Sequence, residues 1–260
     1  RFGREIIEVA TFRAHHDSDD SGEGGRTENG MIMRDNVYGT LEEDAVRRDF
    51  TINCLYYDLR DFSVVDFAGG VEDLNNRLIR MMGDPVVRYR EDPVRILRAA
   101  RFAAKLGFEI ETETRDAAFD VSYGLEDIPA ARLFEEVLKL FMTGHALESF
   151  PALRDLDVLR FLFPATDHLI DEDDRAFDIV EAAFKSTDAR IAEGKTVTPA
   201  FLIAALLWPV LRVNLAGHEV RGMSPAMAID QAGGQVVADH LPRIAIPKRF
   251  SLMAREIWSM

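Results

Sequence analysis

The sequence predicts an α+β fold in which a small α+β part is followed by a helical array, with a boundary near residues 70–90. Two observations support this prediction. Alternating apolar and polar residues rich in β-branched side chains are concentrated before residue 71. Beyond that residue the spacing of apolar side chains is typical of helices, and we expect almost no further strand. A chain of 260 residues allows one large domain or two to three smaller ones.

The part before residue 71 contains two strand-like stretches separated by polar sequence. Turn-forming residues such as glycine and aspartate separate these stretches. The predicted elements are, in order, a strand over 5–13, a polar Gly-rich loop over 15–30, a charged helix start that runs into an apolar stretch over 41–60, a short strand over 62–67 and a turn at Gly69-Gly70.

The remainder is predicted to be helical, and one helix has clear signals at both ends. Asp92 can cap its N-terminus, Pro93 suits its first turn, and Gly107 suits the left-handed position after its last residue. The predicted helices cover 71–77, 92–106, 112–124, 130–142, 146–157, 175–193, 198–213, 224–240 and 248–259.

Composition limits the class of protein. The chain is 47% apolar, which is enough for a buried core, and its formal net charge of −14 argues mildly against a nucleic-acid binder. No run approaches ~18 consecutive apolar residues, and the N-terminal residues lack the apolar centre of a signal peptide. Cys54 is the only cysteine, which excludes an internal disulfide. We therefore expect no membrane association and a cytoplasmic location.

Two arginines stand beside an aspartate and close to an asparagine in the sequence Arg47-Arg48-Asp49-Phe50-Thr51-Ile52-Asn53. Such a group can bind a phosphate while its members fix one another by charge-assisted hydrogen bonds. By itself the pattern is more typical of a solvated helix face with an ion pair at its end.

A basic stretch runs from Arg88 to Lys105, where six basic residues stand against two acidic ones, a local charge of +4 in an acidic chain. Asp92 and Arg95 lie one helical turn apart, so the carboxylate can orient the guanidinium toward a nucleobase edge. An ordinary solvated basic stripe explains the spacing equally well. The cations that share one helix face are Arg95, Arg98, Arg101 and Lys105.

Glu8 is an acidic residue in an otherwise apolar predicted strand. A carboxylate in that position is either a metal ligand or general base, or a charge at a strand edge. Asp17 and Asp19 form a D-x-D pattern typical of metal-dependent phosphoryl transfer. They lie in the Gly-rich loop, however, and we expect them to be solvated.

Taken together, these segments resemble the class II nucleotidyltransferase superfamily, which contains the bacterial poly(A) polymerases and the CCA-adding tRNA nucleotidyltransferases. The resemblance covers residues 5–141, and the helical remainder is more similar to the poly(A) polymerase branch. The segments that carry it are Ile6 to Arg13, Glu43 to Asn53, Arg90 to Arg98 with Arg101 to Phe108, and Ile128-Pro129 with Ala131 to Lys139.

The resemblance implies an enzyme of head, neck and body that adds nucleotides to RNA 3′ ends without a template, with ATP as donor and Mg²⁺ as cofactor. By position, Glu8 resembles the third carboxylate of the active site, near the attacking 3′-OH. The domains implied are a truncated head over 1–75, a neck over 76–145 and a helical body over 146–260. The residues implied are Arg47, Arg48, Asp49 and Asn53 for ribose and triphosphate, Asp92 and Arg95 for the base with Arg98 in support, and Arg88, Arg90, Arg101 and Lys105 for RNA.

The chain departs from the superfamily pattern in one respect. The Gly-Gly-Ser/Thr helix start and the D-x-D pair that precede the Glu8 strand in the superfamily are not in this chain; Gly24-Gly25 follows Glu8 instead. Two metal-binding aspartates are thus expected upstream, and we expect the isolated chain to be inactive. Two alternatives stay open: a CCA-adding enzyme, and a non-catalytic RNA-binding helical module.

Overall fold

The computed structural model describes residues 9–14, 38–219 and 223–260. Three predictions fall partly or wholly outside these residues. The strand over 5–13 does so in part, and Glu8 and the Gly-rich loop over 15–30, with the D-x-D pattern of Asp17 and Asp19, do so in full.

The described residues form two compact units. The first comprises the chain up to Asp92 together with Glu109–Ala117, and the second comprises Pro93–Phe108 and Ala118–Met260. The elements, in chain order, are α1 (Leu41–Val46), a 3₁₀ turn (Thr51–Asn53), β1 (Leu55–Asp58), β2 (Ser63–Asp66), α2 (Gly70–Asn75), β3 (Leu78–Ile79), α3 (Pro85–Glu91), α4 (Val94–Leu106), β4 (Glu109–Ile110), α5 (Thr112–Val121), a second 3₁₀ turn (Ser122–Asp127), α6 (Ala130–Phe141), α7 (Ala146–Asp155), α8 (Leu159–Leu162), α9 (Pro164–Glu172), α10 (Asp174–Ala192), α11 (Pro199–Glu219), α12 (Pro225–His240) and α13 (Lys248–Ser259).

The first unit combines two small sheets with short helices. Strand β1 pairs antiparallel with β2, and β3 pairs parallel with β4. The 3₁₀ turn and α2 approach so closely that a Cβ atom on Gly70 would lie 2.3 Å from the carbonyl oxygen of Thr51. Glycine is therefore required at that contact. The core of this unit contains the fully buried side chains of Phe50, Cys54, Ile79 and Tyr89.

The second unit is a helical array with an aromatic core. Phe184 stacks on Phe141 with ring centroids 4.7 Å apart, and Phe150 lies 5.1 Å from the same ring. The last helix, α13, is fixed to α11 by a hydrogen bond in which Trp258 Nε1 donates to Ala204 O at 3.0 Å. These contacts, together with the two small sheets of the first unit, confirm the predicted α+β class.

The length and apolar composition of helix α11 are relevant to the expectation that the chain does not associate with membranes. Its Pro199–Gly217 stretch is long and apolar enough to cross a bilayer by length and composition. Its leucines Leu206, Leu207 and Leu211 are buried, and the helix packs against α10, α12 and α13. This packing is typical of the central helix of a folded helical unit, and we assign α11 to that core.

Several elements differ from the sequence predictions. Strand β1, the pair β3–β4 and the helices α3, α8 and α9 were not predicted. Helix α4 begins at Val94, two residues later than predicted: Asp92 occupies the C-cap position of α3, and Pro93 occupies the N-cap position of α4. Gly107 does adopt the predicted left-handed conformation, with φ of 64°. Of the predicted strand over 5–13, the described part includes a single bridge between Arg13 and Tyr38.

Candidate nucleotide site

The segment Arg47–Asn53 is anchored by its central aromatic residue. Phe50 is fully buried and forms an antiparallel bridge with Met81. The main-chain N–H of Met82 donates to Asp49 O at 2.8 Å, which fixes the residue before Phe50 as well. The polar side chains on either side of Phe50 therefore project from a turn whose backbone is held in place.

Asp44 on α1 binds both arginines of this segment. Its side chain is 3% exposed. Oδ1 accepts hydrogen bonds from Arg47 Nε (2.9 Å) and Nη2 (2.6 Å), and Oδ2 accepts from Arg48 Nε (3.3 Å) and Nη2 (3.0 Å). Oδ1 also accepts from the main-chain N–H of Arg13 at 3.2 Å. The i, i+3 and i, i+4 spacings bring both guanidinium groups to the same carboxylate.

Tyr56 on β1 completes this network. Its hydroxyl donates to Asp44 Oδ2 at 2.6 Å and accepts from Arg48 Nε at 3.0 Å. The Arg48 guanidinium carbon lies 5.2 Å from the centroid of the Tyr56 ring, and Phe12 meets that ring edge-on at 6.0 Å. Arg48 thus interacts with both the hydroxyl and the ring of Tyr56.

The pKa values of this cluster show how it is charged. Burial alone would raise the pKa of Asp44, but the hydrogen bonds from Tyr56, Arg47 and Arg48 outweigh burial and lower it below its usual value. Burial and the bond to Asp44 raise the pKa of Tyr56 to about 12. At neutral pH, Asp44 is therefore a carboxylate and Tyr56 a neutral donor.

The two arginines keep part of their surface in solvent. The side chain of Arg47 is 25% exposed and that of Arg48 is 42% exposed. A guanidinium group presents its N–H donors in a planar fork that matches the oxygens of a phosphate. The arrangement is chemically suited to an anionic ligand with several phosphate oxygens.

Arg88 on α3 binds the main chain of Arg47 and Arg48. Its Nη2 donates to Arg47 O (2.6 Å) and Arg48 O (2.7 Å), and its Nη1 pairs with Glu91 at 2.7 Å. Its side chain is 7% exposed. This burial does not favour the predicted contact of Arg88 with RNA, and it makes Arg88 a support for the backbone that carries the arginine pair.

Asp49 and Asn53 are brought together as a pair of their own. Asn53 Nδ2 donates to Asp49 Oδ1 at 2.9 Å, and the same oxygen accepts from the main-chain N–H of Phe50 at 3.0 Å. Asp49 is buried, and Asn53 is half-buried. The first predicted group, Arg47 to Asn53, is therefore assembled within one unit.

Cys54 follows this segment and is fully buried. Its sulfur lies 3.1 Å from Ala45 O and 3.2 Å from Phe50 O, and the single S–H can donate to either carbonyl oxygen. Burial, reinforced by the negative charge of Asp49, raises the pKa of the thiol to about 11. The cysteine is a protonated packing residue here.

The remaining predicted residues are divided between the two units. In the first, Arg90 is exposed on α3 and Asp92 ends that helix. In the second, α4 carries the others. The guanidinium carbons of Arg98 and Arg101 lie 5.6 and 4.7 Å from the centroid of the Phe102 ring. Arg95 is half-buried, and Lys105 is exposed in the last turn of α4. The pairing of Asp92 with Arg95 stays a prediction.

The described residues do not fit the Mg²⁺ that the resemblance implies. Among them, no three His, Cys, Asp or Glu side chains come together as ligands for a metal ion. The buried carboxylate of Asp44 is already bound by two guanidinium groups and a hydroxyl. Glu8, the predicted carboxylate, lies outside the described part of the chain.

Sequence reasoning missed two residues of this site, Asp44 and Tyr56. Asp44 stands three and four residues before the two arginines, a spacing that could have revealed it. Tyr56 gave no such signal, because its contact with α1 depends on how β1 packs against that helix.

Three family models match the chain. "Poly A polymerase head domain" matches residues 1–80, "Probable RNA and SrmB- binding site of polymerase A" matches residues 107–170, and "Polymerase A arginine-rich C-terminus" matches residues 221–260. Poly(A) polymerase I of Salmonella typhimurium is 45% identical to the chain over an alignment of 264 positions. The alignment covers 100% of this chain and 57% of the relative.

The chain belongs to the bacterial poly(A) polymerase family. Poly(A) polymerase I of Haemophilus influenzae is 41% identical over an alignment of 262 positions, which covers 99% of this chain and 58% of that protein. The chain therefore spans less than two thirds of the length of these relatives.

CCA-adding enzymes are similar over a smaller part. The CCA-adding enzyme of Lactobacillus helveticus is 38% identical over 154 residues, 59% of this chain and 36% of that protein. A solved CCA-adding enzyme in an apo form has a TM-score of 0.63 at 22% identity, covering 96% of this chain and 52% of that one. A tRNA nucleotidyltransferase complexed with a primer tRNA and an ATP analogue has a TM-score of 0.60 at 24% identity, covering 85% and 58%. These structures share the fold of a small head and a helical body.

Proposed function

We propose that this chain is part of an enzyme that transfers AMP from ATP to RNA 3′ ends without a template. The observation that carries the proposal is the 45% identity to poly(A) polymerase I along the whole chain. The arginine pair on Asp44 supports it, because a triphosphate needs several fixed donors. For the domains we propose a head over 1–75, a neck over 76–145 and a body over 146–260.

The arginine pair would bind the triphosphate. Arg47 and Arg48 would contact phosphate oxygens, while Asp49 fixes Asn53 for the ribose. This assignment agrees with the partial exposure of both arginines and the burial of Asp49. Transfer of a nucleotidyl group depends mostly on positioning and on stabilising charge, and a preorganised fork contributes both.

The base and the RNA would be bound by the basic stretch. We propose that Asp92 and Arg95 read the nucleobase with support from Arg98. Arg90, Arg101 and Lys105 would contact the RNA backbone. Each of these three residues is exposed or half-buried, as a contact with an external ligand requires.

Mg²⁺ would be held outside the described residues. We propose that Glu8 contributes one carboxylate and that two aspartates precede this chain in the complete enzyme, meaning this chain together with a segment that carries the Gly-Gly-Ser and D-x-D motifs. We propose a cytoplasmic enzyme, since ATP and RNA are both present in that compartment.

The choice of nucleotide tests the proposal. The complete enzyme is given RNA with ATP alone, or with CTP and ATP, and the products are sequenced. Poly(A) addition requires AMP incorporation from ATP alone. A CCA-adding enzyme, which the 38% identity over 154 residues favours as the second candidate, would add CMP before AMP.

The base-reading role has its own test. Arg95→Ala in the complete enzyme is expected to reduce selection of ATP over GTP and CTP, because one bidentate contact to a base is worth about 1–3 kcal/mol. Selectivity is measured as the ratio of kcat/KM values. An equal loss with all three nucleotides would assign Arg95 to phosphate or structure.

The isolated chain provides a third test. We expect residues 1–260 to show no primer extension at any Mg²⁺ concentration, because the resemblance places only one of the three metal-binding carboxylates, Glu8, in this chain. RNA binding should survive and fall steeply with salt. Metal-dependent extension by this chain would show that Asp17 and Asp19 supply the carboxylates. A complete enzyme without any incorporation would favour the RNA-binding module.

A further inference from the structure

We propose that Tyr56 is a positioning residue for the triphosphate, and that it acts by locking Arg48 against Asp44. The inference rests on the proposed function, since it assumes that Arg48 contacts phosphate oxygens. Tyr56 itself is assigned no contact with the nucleotide.

The geometry is a closed triangle of hydrogen bonds. Tyr56 Oη donates to Asp44 Oδ2 at 2.6 Å, Arg48 Nε donates to Tyr56 Oη at 3.0 Å, and Arg48 Nε also lies 3.3 Å from Asp44 Oδ2. The hydroxyl is thus used as a donor and as an acceptor at once. A rotation of the Arg48 side chain would break both of its Nε contacts and its packing on the Tyr56 ring.

A contact that fixes the orientation of the side chain matters more for Arg48 than for Arg47. It is 42% exposed, compared with 25% for Arg47. A long, exposed side chain samples many rotamers, and ordering it when a ligand binds costs affinity. The hydrogen bonds to Tyr56 and Asp44 remove this cost, because they orient the guanidinium before ATP binds.

The contacts of the triangle are confined to one arginine. Tyr56 touches the Oδ2 side of Asp44, where Arg48 binds, whereas Arg47 binds Oδ1. A positioning role through Arg48 therefore predicts that Tyr56 and Arg48 are energetically coupled. Tyr56 and Arg47 should behave as nearly independent sites.

Tyr57 provides a matched control on the same strand. Successive side chains of a strand point to opposite faces, and Tyr57 is 59% exposed. Tyr56→Phe and Tyr57→Phe each remove one hydroxyl from β1 and keep the ring. Only the first hydroxyl belongs to the triangle.

The experiment measures ATP kinetics of the complete enzyme at saturating RNA. Tyr56→Phe is expected to raise the KM for ATP about tenfold, which corresponds to ~1.4 kcal/mol, with kcat nearly unchanged. Such a split indicates lost binding in both ground and transition states. Tyr57→Phe is expected to leave both parameters unchanged. Thermal melting of each variant shows that the assays are made on folded protein.

Double variants decide the mechanism. Tyr56→Phe added to Arg48→Ala should raise the KM no further, whereas its effect should persist in an Arg47→Ala background. A further rise on top of Arg48→Ala would overturn the inference and show a general structural role. A wild-type KM in Tyr56→Phe would also overturn it, provided that Arg48→Ala raises the KM.

The proposed function fails in a different way. If Arg47→Ala and Arg48→Ala both leave the KM for ATP unchanged, then neither arginine contacts the triphosphate. That outcome removes the assumption about the ligand as well as the role of Tyr56.

Discussion

Replacing Arg88 by alanine is expected to destabilise the first unit rather than to remove an RNA contact. The guanidinium donates to the carbonyl oxygens of Arg47 and Arg48 and pairs with Glu91, all within 2.7 Å, with 7% of the side chain exposed. Hydrogen bonds to a charged group contribute about 1.5–3 kcal/mol each, and losing one partner of a buried ion pair costs about 3–5 kcal/mol. Because these contacts share one group, they do not add, and we expect Arg88→Ala to lower the free energy of unfolding by about 3–5 kcal/mol.

Urea denaturation of residues 1–260 measures this loss. With a slope of about 3 kcal/mol/M, the midpoint should fall by about 1 M or more. The control is Arg90→Ala, two residues along the same helix and exposed, for which we expect a change below about 0.5 kcal/mol. RNA affinity is measured in parallel by fluorescence anisotropy, and only the Arg90 variant should weaken it without loss of stability. A stable Arg88→Ala protein with weakened RNA binding would refute this reasoning and return Arg88 to the RNA surface.

Three further predictions concern single positions. Gly70→Ala should cost about 1–3 kcal/mol in urea denaturation, because its Cβ would lie 2.3 Å from Thr51 O. Gly217→Ala should be neutral or slightly stabilising, because among the described residues nothing outside its own helical backbone and chain neighbours lies within 4 Å of the added Cβ. Burial lowers the pKa of His240 to about 4 from an ordinary 6.5, so the unfolded chain takes up a proton first as pH falls. Between pH 7 and pH 4.5 the free energy of unfolding of the wild type should therefore fall by about 2–3 kcal/mol more than that of His240→Phe. Equal pH profiles of the two proteins would contradict the burial argument. Glu8→Gln should lower kcat of the complete enzyme with an unchanged melting temperature, and an unchanged kcat would place Glu8 at a strand edge.

The sequence was a good guide to helices with strong end signals. Gly107 ends α4 in the left-handed conformation as expected, because glycine alone adopts that conformation without cost. The start of the same helix lies at Val94, two residues after the predicted start at Asp92. An aspartate between two helices can belong to either, and local sequence does not say which.

The strands β3 and β4 show a different limit. Each has two residues, Leu78–Ile79 and Glu109–Ile110, which is too short to produce an alternating pattern. Their pairing is parallel and joins residues about thirty positions apart. Only the tertiary fold brings them together.

For the candidate site, residue type was easier to predict than the surroundings of each residue. Arg47 and Arg48 were identified from their chemistry, and the structure assembles them as a pair. Arg88 was assigned to RNA because it belongs to a basic stretch, and counting charges cannot reveal that one of them is buried. Tyr56 was missed because its partners lie 8 and 12 residues away on another element.

The single cysteine provides an internal reporter of local opening. Cys54 is fully buried, directly follows the segment Arg47–Asn53 in sequence and keeps its proton well above neutral pH. A thiol-specific reagent such as Ellman's can react with it only when α1 and the turn after it separate transiently. Since no other thiol exists in the chain, the rate of labelling measures the opening free energy of that region alone. Slower labelling in the presence of ATP would reveal nucleotide binding without any engineered probe.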